Sequence, residues 1–509
     1  MSRTKNTLKN TASGFVFKIL NMILHFTSRT VFIVYLGNEF LSINGLFTSI
    51  FSFLNITELG IGGAIIYAMY EPIAKGDYEK IKQFIAYYKK IFCNIGLVVI
   101  GIGLALLPFL NMLVPPESTS INVFLVYVLF VANSASSYYF YVWRYGFICA
   151  MQQEYRLTLI NCSAQITTIC MQIAVLVLFK NFYLYLAIPI AVMIIQRIAY
   201  GFYIGKWYPY IKEKAIGKLK KEEKKPIYKN TFGLAIWKIS AIFNNAIDNI
   251  VITAVIGLTM VGPYSNYLVL ITMISGFASI VFVSARPSVG NLNASSTIEH
   301  KKSIFDNLNL LSFWIYGLCA TCYICLIQIF IPIWIGSSYL MSFPFAIMVT
   351  LNFVVVGFNA AVSIYREGCG LYYEGRYRPI FTALLNIVLS IIFGKLWGTT
   401  GIISATTVSI LLTTIWFDAY IVFKHVFKER VCGYLLRYLM ELIELTIICI
   451  VALGLGSSIP LDNIGGMVIK GFVAVVVFNI GFWVRYRKSI AFRNLKQTVY
   501  LMLKINKHD

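Results

Sequence analysis

The sequence predicts an all-α polytopic membrane protein with about 14 transmembrane helices, arranged as two parallel six-helix lobes around a central cavity plus two C-terminal helices. Three observations lead there. Of the 509 residues, 59% are hydrophobic and only 13% are charged, far outside the balance of a soluble domain. Apolar runs of about 20 residues, each enough to cross a bilayer as a helix, recur along the chain. The chain also echoes itself: KNTASGFVFKI at 9–19 returns as KNTFGLAIWKI at 229–239, so that Lys18 falls onto Lys238 at an offset of 220.

By length and hydropathy the spans are 13–36, 41–69, 84–113, 120–148, 157–179, 182–205, 231–257, 261–287, 304–335, 341–368, 378–398, 401–424, 437–456 and 464–485. The first dozen residues are basic and lack an apolar core with a small-residue cleavage site, so the first helix is expected to serve as the insertion signal. Orientation follows from the loops. Lys and Arg concentrate in the N-terminal tail, 70–83, 206–230, 288–303, 425–436 and the C-terminal tail, whereas the intervening loops are short and nearly free of cations apart from Lys180 and Lys395. Both termini are therefore expected in the cytoplasm, with an even number of spans. The same alternation accounts for the net charge of +22 without nucleic acid as a partner. The densest run, KEKAIGKLKKEEKKPIYK at 212–229, reads as a solvated cytoplasmic linker or as a contact with anionic lipid headgroups. Cys319, Cys322 and Cys325 lie down one helix face with no His or carboxylate cluster beside them; they read as apolar fillers, and no metal site is expected.

A second echo supports the first. In WRYGFICAMQQEYR (143–156) and YREGCGLYYEGRYR (365–378), Arg144, Gly146, Tyr155 and Arg156 map onto Arg366, Gly368, Tyr377 and Arg378 at an offset of 222. YLG ending at Gly37 maps onto VIG ending at Gly257 at 220. The expected organisation is an N-lobe (1–205), a basic linker (206–230), a C-lobe (231–425) and a pair of extra helices with a tail (426–509). Each half has an even number of spans, so the repeats run parallel and are expected to enclose a site between them. Arg144 and Arg366 stand near helix ends, where snorkelling, pairing within the next loop and function are all open to them.

Polar residues form stripes. At 100° per residue, Lys18, His25 and Arg29 fall within about 40° of arc on the first helix, with Asn21 close by. Lys238, Asn245 and Asn249 trace the matching stripe on the seventh helix, flanked by Asp248. The second helix adds Asn44, Thr48, Asn55 and Glu58, and the eighth adds Ser275, Ser279 and Arg286. Charged groups facing lipid at mid-depth cost several kcal/mol, so these faces are expected to line a hydrated inner cavity. There Lys18, Arg29, Lys238 and Arg286 would oppose Glu58 and Asp248. The two carboxylates read either as ion or proton coupling groups or as structural partners, and His25 either as a titrating group or as a packing one. A cationic cavity suits an anionic ligand, above all phosphate oxygens.

SRTVFIVYLGNEFLSINGLFTSIFSFLNITELGIGGAIIYAMYEPIAKGDYEKI (28–81) resembles the N-terminal signature of Wzx-type flippases of the multidrug/oligosaccharidyl-lipid/polysaccharide (MOP) exporter superfamily. IGLTMVGPYSNY (256–267) resembles the start of the second lobe, and SARPSVGNLNA (284–294) the following loop in Gram-positive polysaccharide transporters. The resemblance implies a V-shaped pair of lobes working by alternating access in the bacterial cytoplasmic membrane. Undecaprenyl-pyrophosphate-linked oligosaccharide would be the cargo, for a capsule, an O-antigen or another surface polysaccharide, with membrane lipids and other polysaccharide assembly proteins as partners. It also implies that cavity cations, here Arg29 and Lys238 among them, hold the pyrophosphate, and that an ion gradient or the membrane potential supplies the drive. No cofactor is expected, and no G-x-x-x-x-G-K-[ST] run is present. In related lipid flippases extra helices form a groove for the lipid tail.

Three other readings compete. A multidrug/cation antiporter of the same superfamily predicts an acidic or neutral cavity. A lipid II flippase differs only in cargo. A membrane glycosyltransferase or polymerase, the enzyme reading, needs catalytic groups on a sizeable outer loop, and none of the predicted outer loops reaches about 20 residues.

Overall fold

The computed structural model describes residues 3–54, 61–114, 121–151, 153, 155–224, 247–371, 374–461 and 463–494; side chains are described throughout these except at 3–20, 53, 54, 112, 113, 155, 287, 291 and 293–295. Among the described residues there is no strand. The chain divides into two compact units, Met1–Gly262 and Pro263–Asp509.

The first unit opens with Arg3–Leu54, broken at Gly37 (φ 80°, ψ −168°). That backbone region is essentially reserved for glycine, so the chain turns from the first predicted span into the second at the residue that ends YLG. Its repeat equivalent Gly257 also has a positive φ (131°, with ψ 153°) and links helical residues 247–255 to the next helix. The sequence echo is thus an echo of backbone geometry. Next come Ile61–Lys75, Tyr78–Leu106, Val123–Ser136, Val142–Ala150, Tyr155–Phe179 and Phe182–Trp207. Asp77 caps the second of these by accepting from the Lys80 amide at 3.0 Å, a typical Ncap role.

A buried cluster containing Phe84, Tyr88, Phe92, Tyr138, Phe147 and Tyr200 holds these helices together. Tyr88 stacks on Phe92 with ring centroids 4.4 Å apart. A Cβ at Gly146 would stand 2.9 Å from the Tyr88 ring, so this glycine of the R-x-G echo marks a close helix approach. The first helix packs on Tyr155–Phe179, and its Phe32 meets Tyr185 and Phe182 edge-on at 5.0 and 5.8 Å.

Two spans expected to be continuous are interrupted. The 120–148 span ends its first helix at Ser136 and restarts at Val142, after Phe140 and Tyr141 adopt positive φ (54° and 65°). The 341–368 span likewise divides into Phe343–Phe358 and Ala360–Gly368. Ser136 and Phe358 are 222 residues apart, so both halves break at the same repeat position.

The second unit takes in nearly all of Val261–Ser295, then Ile298–Ile335 and the pair just named. Arg378–Ile410 follows, kinked at Trp397 and Gly398 (φ 60°) between the two predicted spans. Two π-helical turns, Leu411–Ile415 and Phe423–Phe427, flank the short helix Trp416–Val422. Cys432–Ser457 and Ile464–Tyr486 pack on Ile298–Ile335, where Phe313 meets Tyr486 at 5.4 Å and Gly317 leaves room for the Phe478 ring.

Among the described residues, 10 helical stretches are long and apolar enough to cross a membrane. The prediction of about 14 meets this number because Arg378–Phe427 takes in two predicted spans, and Asn21–Ser52 takes in most of the first predicted span and the opening of the second, which continues in Ile61–Lys75. Val123–Ser136 is apolar but shorter, and most of 231–257 lies outside the described residues.

Candidate functional site

Of the predicted site residues, Asn55, Glu58, Lys238 and Asn245 and the side chain of Lys18 lie outside the described residues. In the first unit Arg29 is half-buried and close enough to Tyr185 to act on it electrostatically. His25, one turn earlier, is exposed and shares a 3.2 Å hydrogen bond with Gln165 on Tyr155–Phe179. Asn44 is half-buried. Asp248 is buried with a partner, as a carboxylate in an apolar helix must be.

The structure brings Asn249 to the helix that carries Asn44, through a polar seam. Asn249 donates to Ser49 Oγ at 2.9 Å and to the Gly45 carbonyl at 3.4 Å. Asn38 donates to the Thr259 carbonyl at 2.9 Å, and Ser42 Oγ accepts from the Gly262 amide at 3.0 Å. Asn38, Ser42, Gly45 and Ser49 follow a four-three-four spacing on one helix face, and their small side chains let residues 247–262 come close. The neighbouring register of Asn44 and Thr48 drew the sequence reading; the small-residue spacing is the signal that marks this seam.

In the second unit Arg286 is paired with Glu367. Glu367 also lies 3.7 Å from Arg366, whose guanidinium meets Asp418 Oδ2 at 3.3 Å. Arg378 Nε stands 3.2 Å from Asp418 Oδ1, and its Nη1 donates to Thr414 Oγ1 at 2.6 Å. The two arginines of the second echo thus share one carboxylate, with Asp418 only 1% exposed. Arg366 and Asp418 are 52 residues apart in sequence.

A second charged group sits between Ile298–Ile335 and the last two helices. Arg437 bonds Asp306 at 2.8 Å and Glu441 at 3.0 Å, and Asn309 donates to Glu441 at 3.1 Å. Glu441 is buried, and a cleft of about 700 Å³ opens beside it, bordered by Glu444, Arg485 and Tyr486. Sequence reasoning passed over Asp418 and Glu441. The signal was present: each is an acid inside an apolar span, and such residues are retained only when paired or used.

Membrane-length helices broken by repeat-matched glycines, with charge buried inside the spans, define a multi-pass membrane protein, and its fold is that of solved MOP transporters. The chain is similar to a solved lipid II flippase, MurJ, in an inward closed conformation: 16% identity, TM-score 0.68, covering 93% of this chain and 99% of that one. It is similar to a multidrug resistance MATE family transporter of the MOP superfamily, inward-facing, at 15% identity and TM-score 0.58, covering 79% of this chain and 96% of that one. A MOP superfamily transporter from Pyrococcus furiosus, described as having a binding pocket of reverse polarity, matches at 14% identity and TM-score 0.51, covering 81% of this chain and 94% of that one. The polysaccharide biosynthesis protein family model matches residues 7–289, more than half of the chain, and the chain belongs to that family. No curated protein matches it.

Proposed function

We propose that the protein is a flippase that carries polyprenyl-pyrophosphate-linked oligosaccharide repeat units from the cytoplasmic to the outer leaflet of a bacterial plasma membrane, by alternating access, for surface polysaccharide. The observation that carries this reading is the match of a polysaccharide biosynthesis family over residues 7–289 on a MOP exporter fold. The Wzx-like stretch at 28–81 supports the cargo, and the reading makes the protein a transporter and not an enzyme.

In this proposal Lys18, Arg29, Lys238 and Arg286 receive the pyrophosphate, since charge-assisted hydrogen bonds to phosphate oxygens strengthen where water is excluded. Arg286 would exchange Glu367 for the ligand, so binding would be coupled to the ion chain running on to Arg366 and Asp418. Glu58 and Asp248 remain candidates for ion coupling or for structural pairing, and His25, Asn44, Asn55, Asn245 and Asn249 for polar contacts. The drive is an ion gradient or the membrane potential, and both termini face the cytoplasm.

The test is a deletion strain whose polyprenyl-pyrophosphate-linked oligosaccharides are extracted after treating spheroplasts with an external glycan-cleaving enzyme. Complete repeat units should accumulate and stay protected, and Arg29→Gln and Lys238→Gln should each reproduce that state at normal protein levels. Normal arrival of complete units outside would discard this cargo. Protected lipid II in their place would move the assignment to cell wall precursor.

A further inference from the structure

The first unit contains a pocket of about 660 Å³ where the end of Phe182–Trp207 meets the 3-10 turn Pro209–Lys212. Its polar lining is entirely cationic or neutral: Arg144, Lys206 and Lys212, with Tyr141 beside them and no carboxylate. Among the described residues no ion pair holds any of the three cations. Arg144 donates to the Gly201 carbonyl and lies over the Tyr141 ring, 4.7 Å from its centroid.

Two glycines, Gly201 and Gly205, stand one turn apart and allow this convergence. A Cβ on Gly205 would lie 2.9 Å from Arg144 Nη1 and 3.6 Å from Lys212 Nζ, so both cationic nitrogens crowd one point above the helix backbone. Like charges this close repel unless an anion or water lies between them. Arg366, the repeat equivalent of Arg144, has its charge met by Asp418 and Glu367. Among the described residues Arg144 has a backbone carbonyl and a ring but no carboxylate, which leaves its charge open to an anion from outside the chain.

The surroundings fix the kind of anion. Ile195, Ile198 and Phe202 follow a three-four spacing up the same helix and are 66%, 50% and 67% exposed, an apolar track leading away from the pocket. The pocket itself lies at the helix end that runs into the basic stretch 212–229, at headgroup level in the proposed topology. Basic pockets between membrane helices at this depth suit lipid phosphates. We propose that Arg144, Lys206 and Lys212 form a binding site for the phosphate of an anionic glycerophospholipid, whose acyl chain lies along Ile195, Ile198 and Phe202. The site is separate from the pyrophosphate site proposed above and does not depend on what the protein transports.

The experiment is native mass spectrometry of the full-length protein, titrated with phosphatidylglycerol or phosphatidylcholine. Phosphatidylglycerol should bind preferentially, and Lys206→Gln with Lys212→Gln should weaken it by roughly fivefold per lysine, leaving phosphatidylcholine unchanged. Both lysines are exposed, so folding is not at issue. Lys218→Gln with Lys221→Gln, equal in charge but outside the pocket, should leave binding as in the parent. The proposal is overturned if the pocket pair binds phosphatidylglycerol as the parent does, or if the control pair loses as much. It is also overturned if inorganic phosphate competes as well as the lipid does, or if the pocket pair loses polyprenyl pyrophosphate instead.

Discussion

Replacing Asp418 by Asn removes one charge from the centre of the second unit while keeping the side chain's shape. The carboxylate stands 3.3 Å from Arg366 and 3.2 Å from Arg378. At an effective dielectric of 20, each such pair attracts by about 5 kcal/mol. Desolvation of all three groups and repulsion between the two guanidiniums offset much of that sum. The remainder is set by what is left behind, two buried cations sharing an amide, and breaking a buried pair in this way costs about 3–5 kcal/mol. Asp418→Asn should therefore lower the apparent melting temperature of the detergent-purified protein, followed by size-exclusion after heating, by roughly 10 °C. Arg378→Gln added to it removes one of the stranded cations and should recover part of the loss. Two results refute the reasoning: Asp418→Asn melting within about 2 °C of the parent, or a double variant showing the simple sum of both losses, which would mean that the groups are not coupled.

Gly37→Ala and Gly257→Ala should each cost about 1–3 kcal/mol, because both glycines sit at φ values that strain an alanine, and nothing lies within 4 Å of the added methyl to repay it; Gly101→Ala, in open space inside a helix, should be neutral or stabilising in the same melting assay. Glu441→Gln should cost less than Asp418→Asn, about 1–3 kcal/mol, since Arg437 keeps Asp306, and an equal loss would mean that Asp306 does not hold it. Lys80, through its hydrogen bond, holds the Glu223 carboxyl below its ordinary range. The contact should therefore stabilise the 220–224 segment fully above the ordinary carboxylate pKa and fade as pH falls through the depressed one. Hydrogen exchange of that segment, corrected for intrinsic rate, should rise towards pH 3 in the parent, and Lys80→Gln should reduce the change to the part that the Lys220 contact with Glu223 supports.

Much of the fold was legible because bilayer length and glycine chemistry act locally. YLG at Gly37 and VIG at Gly257 could be matched by eye, and both glycines do interrupt helices. The breaks after Ser136 and Phe358 were not read, since the runs NSASSYYF and GFNAA contain no proline and their drop in hydropathy is too short to divide a membrane-length window. At the candidate sites the limit was different. Arg366 and Arg378 were visible as repeat markers, but that they share Asp418 depends on packing between segments dozens of residues apart. Arg286 was read as a cavity cation opposing Glu58 and Asp248, and its pairing with Glu367, 81 positions away, was not visible in the sequence. Burial of Glu441 beneath Asn309 and Arg437 depends in the same way on how the last two helices dock.

The π-helical turns around Trp416–Val422 have a consequence for how this chain can vary. A widened turn takes in about one residue more than an α-helical turn, and one residue is worth about 100° of rotation. An extra residue within Leu411–Ile415 is therefore absorbed without changing where Asp418 points. Deleting that residue and closing the turn to α-helical geometry would leave the carboxylate facing both arginines, whereas a deletion in the α-helical turns before it would rotate the carboxylate by about 100°. The wide turn thus tolerates a change of length that the regular helix does not, and a gap-free comparison of two such helices would pair residues that face about 100° apart.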